Sequence, residues 1–362
     1  MKRTFIISGG GTGGHIFPAL SIASEIKRRH PEATIHFVGA RGKMEMQRVP
    51  AAGFEITGVP IAGINRKKPW KSWAVPFKLL YALWLCRSLM IKLKPDVVIG
   101  TGGYASGPAL YVAQKLGIPT LVQEQNSFAG VTNVKLGDGA KLICTAYPNA
   151  QRFFPGSKVR LTGNPVREEF TKPLPDSKQS KEALGFDPEQ PLLMILGGSL
   201  GARAINQHID KSLEALRAQG WQILWQCGKL YEDDYVGRTT TGVKVSAFID
   251  DMAAAYAAAD VIVSRAGAGT LSELCLIGKP ALLIPSPNVA EDHQTHNAKA
   301  LSEKGAAILI PETELDKRFT VELEAILRNS RRGDLLGERI KGLALPKATS
   351  DIVDLVESLA RG

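Results

Sequence analysis

The stretch that decides the fold is Thr4–His15, TFIISGGGTGGH, in which an apolar run ends in a cluster of glycines. The run Thr4–Ser8 is continuously apolar at its centre, which predicts a strand buried on both faces of a parallel sheet. The glycines let the backbone approach an anion closely, and the helical pattern of Phe17–Arg29 that follows would supply free N–H groups. This order of strand, glycine loop and helix is typical of nucleotide-binding α/β domains.

The same unit recurs along the 362 residues, with further glycine loops at Gly100–Pro108 and Leu196–Ala202. The candidate strands are Thr4–Ser8, Thr34–Gly39, Asp96–Thr101, Pro119–Gln123 and Leu142–Ala146 in the first half, and Pro191–Leu196, Gln222–Gln226, Val243–Ala247, Val261–Ser264, Ala281–Pro285 and Ala307–Ile310 in the second. Helical patterns separate them, so we predict an α/β fold with two Rossmann-like, doubly wound parallel-sheet domains facing across a cleft. The polar stretch Lys172–Gln190 with its three prolines predicts a hinge within residues 163–190.

Composition is that of a folded protein, with 44% hydrophobic and 22% charged residues. Four scattered cysteines, without a CxxC pair, predict reduced thiols rather than disulfides or a metal site. The apolar run near the N-terminus is too short for a signal peptide, and no uncharged apolar segment approaches the roughly 18 residues of a membrane span. We therefore expect the protein in the cytoplasm.

Charge is unevenly distributed. Residues 1–163 hold 22 lysines and arginines against seven acids, whereas residues 164–362 hold 23 against 28. Residues 56–95 have eight basic residues, no acid and three of the five tryptophans. Aromatic rings beside cations are typical of an interfacial helix on an anionic membrane, although a core helix with a basic edge remains the alternative. The predicted membrane contacts are Trp70, Trp73, Phe77, Trp84, Lys67, Lys68 and Lys71.

Two polar segments of the second half are candidate ligand sites. Ser264–Glu273, SRAGAGTLSE, follows a strand and opens a helix, a place that suits a diphosphate. Thr270 and Glu273 also have the spacing of a helix capping box, which needs no ligand. Glu291–Asn297 follows another strand. No loop has the Walker pattern, and the second strand lacks the acid that binds NAD ribose, so kinases and NAD enzymes are disfavoured.

The motifs together carry a family resemblance over nearly the whole chain. They are GGGTGGHIFPAL (9–20), GTGGYASGPAL (100–110), QEQNSFAGVTN (123–133), GNPVR (163–167), LGGSLGARAIN (196–206), FIDDMAAAYAAADVIVSRAGAGTLSEL (248–274) and EDHQTHNA (291–298). By these the chain resembles the MurG family of GT-B glycosyltransferases. The resemblance implies inverting transfer of N-acetylglucosamine from UDP-N-acetylglucosamine to lipid I, giving lipid II for peptidoglycan and hence for cell shape and division.

The resemblance also implies the domains and the donor site. The N-terminal acceptor domain would comprise residues 1–163, joined by a C-terminal helix at about 340–362, and the donor domain residues 164–339. Glu273 would bind the ribose, Ile249 the uracil through its backbone, and Gln294 the sugar. Thr295 stands where some relatives have a second glutamine, which puts sugar contacts there in doubt. The implied donor contacts are Thr12, Gly13, Gly14, Asn126, Arg167, Ser199, Ile249, Ala268, Gly269, Thr270, Leu271, Ser272, Glu273 and Gln294.

Sugar transfer needs a base for the acceptor hydroxyl and support for the departing diphosphate. His15 is the favoured base because it ends a glycine loop at a helix start, although it would serve equally well as a helix cap or a substrate ligand. Glu124 is the competing carboxylate, with a buried structural acid as its alternative. Since no DxD clamp is present, we expect no metal or other cofactor, with helix N-termini and Arg167 holding the diphosphate.

Three functions therefore compete. The first is the lipid-linked N-acetylglucosaminyltransferase, bound peripherally at the cytoplasmic face of the cell inner membrane. The second is a UDP-N-acetylglucosamine epimerase of the same fold, which would need no interfacial helix. The third, a basic nucleic-acid-binding protein, is disfavoured because the sequence contains no recognised nucleic-acid motif, and we expect no nucleic acid as partner.

Overall fold

A computed structural model describes residues 3–61, 75–198 and 200–360. The chain divides into two compact units: unit 1 is Met1–Val166 with Leu345–Gly362, and unit 2 is Arg167–Ala344. These boundaries lie three residues after the expected end of the first domain and about five after the expected start of its C-terminal part.

Unit 1 contains a parallel sheet with the strand order β3-β2-β1-β4-β5-β6-β7. Its strands are β1 (Thr4–Gly9), β2 (Thr34–Ala40), β3 (Glu55–Val59), β4 (Val97–Gly102), β5 (Thr120–Glu124), β6 (Leu142–Thr145) and β7 (Val159–Leu161). The helices among them are α1 (Gly13–Arg29), α2 (Glu45–Ala51), α3 (Val75–Leu93), α4 (Ser106–Lys115) and α5 (Val131–Gly137). The strand order reverses at β1, which lies between β2 and β4 and is fully buried at Phe5, Ile6 and Ile7. The doubly wound prediction is confirmed for this half.

Two glycine loops meet at that reversal point, one after β1 and one after β4. Gly103 has a φ of +83°, and a Cβ there would lie 2.2 Å from the Gly10 carbonyl oxygen. Only glycine fits such a backbone contact, since any side chain would overlap the neighbouring loop. Glu45 holds the first loop in place, because its buried carboxylate accepts hydrogen bonds from the N–H groups of Gly11 at 2.9 Å and Ala40 at 3.0 Å.

Unit 2 repeats the architecture with the strand order β10-β9-β8-β11-β12-β13. Its strands are β8 (Leu192–Leu196), β9 (Gln222–Gln226), β10 (Val243–Ser246), β11 (Val261–Ser264), β12 (Ala281–Leu283) and β13 (Ile308–Leu309). Its helices are α6 (Ser177–Ala183), α7 (Arg203–Ala218), α8 (Glu232–Tyr235), α9 (Met252–Ala258), α10 (Ala268–Ile277), α11 (His293–Ser302), α12 (Leu315–Arg328) and α13 (Ser330–Lys341). Here the order reverses between β8 and β11, and neighbouring strands again pair in parallel.

The boundary between the units, at Val166 and Arg167, lies within the predicted hinge range 163–190, and the polar stretch 172–190 is part of unit 2. Asp176 caps α6 by accepting a hydrogen bond from the Gln179 N–H at 2.9 Å. Buried Lys181 is 2.8 Å from Asp260 and donates to the Gln190 carbonyl at 2.8 Å. Charged side chains that are paired inside a fold can resemble linker residues in the sequence.

The last helix, α14 (Ala348–Ala360), packs in unit 1 on the side of the sheet that carries α1. Ile352, Val353 and Val356 are fully buried in the same core as Phe5 of β1. Arg29 on α1 also contacts Asp354 and the Ser350 hydroxyl of α14.

Candidate functional site

A cavity of about 580 Å³ lies in unit 2 where the loops after β8, β11 and β12 converge. Ligands of open α/β sheets bind at this carboxyl edge, at the point where the strand order reverses. The lining residues are Gly197, Gly198, Leu200, Gly201, Ala202, Arg203, Ala204, Gln207, Arg265, Ser286, Asn288, Val289, Gln294 and Glu312. Of the predicted donor contacts, the cavity lining includes Gln294.

The cavity has the features of an anion site. The loop Gly197–Gly201 leads into the 16-residue helix α7, whose N-terminus carries a partial positive charge. Arg203 and Arg265 add two guanidinium groups to the lining. Arg265 is fixed in place, since its Nη2 is 2.6 Å from a Glu312 carboxylate oxygen and its Nη1 donates to the Ile284 carbonyl at 3.0 Å.

Sequence reasoning missed Arg203 and Glu312 as members of this site. The available signal was their position, since Arg203 follows the third glycine loop and Glu312 follows β13 at the same sheet edge. Exposed charges at loop ends are common, so position alone did not distinguish them from solvated residues.

Gln294, in the first turn of α11, lines the cavity with a fixed amide. Its Oε1 accepts a hydrogen bond from the Ser286 N–H at 2.9 Å, which leaves its NH₂ group as the donating end. The two residues before α11, Glu291 and Asp292, have φ values of 53° and 50°, a conformation that is costly for residues other than glycine. Backbone strain of this kind concentrates at functional sites, and the predicted polar segment Glu291–Asn297 comprises these two residues and the first five residues of α11.

A second polar group in unit 2 surrounds Glu273 in α10. The Tyr256 hydroxyl donates to Glu273 Oε2 at 3.2 Å, and the Arg167 guanidinium lies 3.4 Å from Oε1. Arg167 also lies 4.3 Å above the Phe170 ring and 3.0 Å from Glu169. Burial raises the pKa of Glu273 despite the opposing effect of Arg167, and burial likewise raises the pKa of Tyr256. The predicted residues Arg167 and Glu273 are thus in contact.

The capping-box alternative for Thr270 and Glu273 is wrong. The N-cap of α10 is Gly267, so Thr270 is the third residue of the helix. The first turns of α10 also contain Ala268, Gly269, Leu271 and Ser272.

Ile249 lies buried in the segment between β10 and α9. That segment ends at Asp251, whose carboxylate caps α9 by accepting from the Ala254 N–H at 2.9 Å, which gives this acid a structural role.

The remaining described donor candidates, Thr12, Gly13, Gly14 and Asn126, lie in unit 1 with His15. Gly13, Gly14 and His15 form the first turn of α1, which begins four residues before the predicted Phe17. Asn126 follows β5.

His15 is half-buried and its ring is held by hydrogen bonds at one nitrogen. Nδ1 lies 3.0 Å from both the Thr101 carbonyl oxygen and Gln125 Oε1. The Thr101 hydroxyl donates to the His15 carbonyl at 2.8 Å, which fixes the backbone as well. Within the described residues no hydrogen bond reaches the other ring nitrogen, Nε2. His15 therefore has the arrangement of an oriented imidazole with one available nitrogen.

Glu124, the competing base, is buried and its carboxylate is saturated with donors. Oε1 accepts from the N–H and the side-chain amide of Asn126 at 2.9 and 3.2 Å. Oε2 accepts from the Gly130 N–H at 3.0 Å and from Asn133 Nδ2 at 2.8 Å. Four hydrogen bonds occupy the lone pairs of the carboxylate, so the geometry favours the structural alternative for Glu124.

Several predicted residues lie outside the described part of the chain: Ser199, Trp70, Trp73, Lys67, Lys68 and Lys71. Helix α3 is described, and it buries the stripe Ala82, Cys86 and Met90. Phe77 is 68% exposed and Trp84 is 60% exposed, so these two rings are not core residues.

Two absences concern the described residues only. None of their helices combines the length and apolarity needed to cross a membrane. They also contain no cluster of three or more histidine, cysteine or acidic side chains with the geometry of a metal site.

Comparison with known proteins identifies the family. Residues 5–144 match the glycosyltransferase family 28 N-terminal domain, and residues 192–348 match the glycosyltransferase family 28 C-terminal domain. A protein of Christiangramia forsetii named UDP-N-acetylglucosamine--N-acetylmuramyl-(pentapeptide) pyrophosphoryl-undecaprenol N-acetylglucosamine transferase is 51% identical, over 98% of this chain and 97% of its own. A protein of the same name from Flavobacterium psychrophilum is also 51% identical, over 98% of each chain.

The solved structure of Acinetobacter baumannii MurG is 30% identical, with a TM-score of 0.80 over 99% of this chain and all of its own. These matches cover both domains and all of the motifs. They confirm the predicted GT-B glycosyltransferase fold and the enzyme class. The chain belongs to the MurG family of glycosyltransferase family 28.

Proposed function

We propose that this protein transfers N-acetylglucosamine from UDP-N-acetylglucosamine to lipid I, giving lipid II for peptidoglycan synthesis. The observation that carries the proposal is about 50% identity over nearly the full length of relatives named for this transfer. The epimerase and nucleic-acid alternatives have no comparable support.

Unit 2 would bind the donor. Glu273 would accept hydrogen bonds from the ribose hydroxyls with a carboxylate that Tyr256 holds in place, and Ile249 lies on the segment that would present backbone groups to uracil. The cavity beside α7 suits the diphosphate, because a helix N-terminus and two arginines converge there. The NH₂ group of Gln294 would donate to a sugar oxygen. Arg167 would leave Glu273 for the diphosphate when the donor binds.

The reaction would be a direct displacement at the anomeric carbon. His15 Nε2 takes the proton from the acceptor hydroxyl while that oxygen forms the new bond. The bond from the anomeric carbon to the diphosphate breaks, and UDP leaves with the electron pair. One displacement inverts the anomeric centre, from an α donor to a β product. Helix N-termini and guanidinium groups stabilise the leaving diphosphate, so we propose that catalysis needs no metal and no cofactor.

We further propose peripheral binding at the cytoplasmic face of the cell membrane, where the lipid-linked acceptor is found. Helix α3 supports this, because large apolar side chains and cations share its exposed surface. Trp84 stacks on Tyr81 at 5.8 Å between ring centroids, and Lys78 and Arg87 are exposed on the same helix. This combination matches the boundary between lipid headgroups and acyl chains. Roles in cell shape and division would follow from the supply of lipid II.

The test is incubation of purified protein with radiolabelled UDP-N-acetylglucosamine, with and without lipid I. We expect label in the lipid fraction only when lipid I is present, with release of one UDP per sugar transferred. UDP release or sugar epimerisation without lipid I, and no labelled lipid with it, would favour the epimerase. Retention on RNA with no turnover of either substrate would favour the nucleic-acid alternative.

A further inference from the structure

We propose that Gln125 is a positioning residue that holds neutral His15 as the Nδ1–H tautomer, leaving the lone pair on Nε2. The inference rests on the proposed function, in which Nε2 receives the acceptor proton. It comes from a network of buried amides behind His15, which the mechanism above does not use. Gln125 itself is 1% exposed and touches His15 through its side-chain oxygen.

The orientation of the Gln125 amide follows from the oxygens around it. Its Nε2 lies 2.6 Å from the Thr101 carbonyl oxygen and 3.1 Å from the Gln123 carbonyl oxygen, and it also contacts Gln123 Oε1. An NH₂ group can donate to these oxygens, whereas the reversed amide would place an oxygen against all three. The end of Gln125 that faces His15 is therefore the oxygen.

The neighbouring amides fix Gln123 in the same way. Asn164 Nδ2 donates to the Gln125 backbone carbonyl at 3.0 Å, so the Asn164 oxygen faces Gln123. Gln123 Nε2 donates to that oxygen at 3.0 Å, which leaves Gln123 Oε1 as the acceptor for Gln125. Gln123 and Asn164 are 0% and 3% exposed, so water does not compete for these groups. Each of these three side-chain amides, Gln123, Gln125 and Asn164, thus has one orientation that satisfies its hydrogen-bond partners.

The consequence falls on His15. Both partners of Nδ1, the Thr101 carbonyl and Gln125 Oε1, are acceptors, so Nδ1 must carry hydrogen. In the neutral ring the lone pair is then on Nε2, the nitrogen without a hydrogen bond among the described residues. A general base is useful only when its lone pair is on the nitrogen that can reach the proton, and the wrong tautomer is inactive. The amide network therefore selects the reactive tautomer before substrate arrives.

The direct test is the tautomer itself, measured by two-bond 1H–15N correlation NMR on protein labelled with 15N-histidine, without substrate. The His15→Gln spectrum identifies the His15 signals among the six histidines. We expect Nδ1 to carry hydrogen and Nε2 to be pyridine-like. A ring with hydrogen on Nε2 overturns the proposal. Because this measurement does not depend on activity, failure of the tautomer proposal can be distinguished from failure of the proposed transferase function.

The second test is the Gln125→Met variant, which keeps the side-chain length but removes the acceptor. We expect a mixture of the two His15 tautomers and a kcat lowered about 10- to 100-fold. The loss should be smaller than for a complete change of tautomer, because the Thr101 carbonyl still accepts a hydrogen bond from Nδ1. Donor Kd should stay within about twofold, since binding does not depend on the tautomer. Gln114→Met is the matched control, because Gln114 donates to Thr120 Oγ1 and the Leu136 carbonyl in the same unit but away from His15. Equal kcat losses in both variants, or an unchanged His15 tautomer in Gln125→Met, would refute the role.

Discussion

Replacing Glu273 with glutamine should weaken UDP-N-acetylglucosamine binding by about 2–3 kcal/mol, or roughly 30- to 150-fold in Kd. A hydrogen bond to a charged acceptor contributes about 1.5–3 kcal/mol and a neutral one about 0.5–1.5 kcal/mol, and two ribose hydroxyls are available. The opposing cost of releasing Arg167 is small, because its contact with Glu273 is 3.4 Å long and Arg167 is 46% exposed. Such contacts are worth about 0–1 kcal/mol.

The same variant should change the pH dependence of binding. Burial raises the pKa of Glu273 above its ordinary value of 4.5, so the folded protein disfavours the carboxylate. Stability from this group is therefore greatest below the ordinary pKa and falls as the pH rises through the raised pKa. Donor binding needs the carboxylate, so affinity in the parent falls as the pH drops through that raised pKa. The Glu273→Gln variant should not show this loss of donor affinity at low pH. At neutral pH it should be at least as stable as the parent.

Isothermal titration calorimetry with UDP-N-acetylglucosamine across the acidic to neutral range measures both effects. Glu169→Gln is the matched control, since Glu169 also pairs with Arg167, at 3.0 Å, but is itself 49% exposed. We expect the control to bind the donor within about twofold of the parent. Equal losses in both variants would mean that Glu273 acts through Arg167 rather than on ribose. Unchanged affinity in folded Glu273→Gln would remove Glu273 from the donor site.

The other predictions concern single steps of the proposed mechanism. Tyr256→Phe removes a hydrogen bond that stabilises the Glu273 carboxylate, so donor Kd and KM should rise about three- to tenfold with kcat retained, measured by steady-state kinetics. His15→Gln should lower kcat about 10²- to 10⁴-fold with donor Kd kept, and the reverse pattern in calorimetry and kinetics would make His15 a binding residue. Turnover should survive EDTA, whereas loss that magnesium or manganese restores would show a metal requirement. Phe77→Ser with Trp84→Ser should release the protein from anionic vesicles in a sedimentation assay, whereas Val321→Ser, at an exposed position of α12, should not. Equal sedimentation of the double variant and the parent would contradict membrane docking by α3.

The strands around the strand-order reversals were predictable because continuous apolar runs between glycine loops have few other solutions. Thr34–Ala40 and Gln222–Gln226 match the predictions to within a residue. β3 and β7 were missed, because EITGV mixes a charge and a glycine into a short run and VRL has three residues at the sheet edge. Such strands form through pairing with a neighbour rather than through their own pattern.

The candidate site was predictable only in part for a related reason. The glycine loops and Glu273 carry local signals, and the Arg167–Glu273 contact joins two motifs that the family resemblance had named. Tyr256 and Glu312 carry no such signal, because their roles come from partners 17 and 47 residues away in the chain. The orientation of Gln125, just after β5, depends on Thr101 in β4 and on Asn164, which follows β7. Relations of this kind exist only after the chain has folded.

The position of α14 determines the order in which the two units can finish folding during synthesis. Unit 1 begins with β1, but its core is completed by Ile352, Val353 and Val356 at the other end of the chain. During translation, therefore, the apolar face of unit 1 that α14 covers stays exposed until the end of the chain has been made. Unit 2 is one continuous segment and can fold before that point. A fragment ending at Val166 would keep that face exposed to solvent, and a fragment of Arg167–Ala344 would not. Joining α14 directly to Val166 through a short linker would restore the missing cover without the second unit.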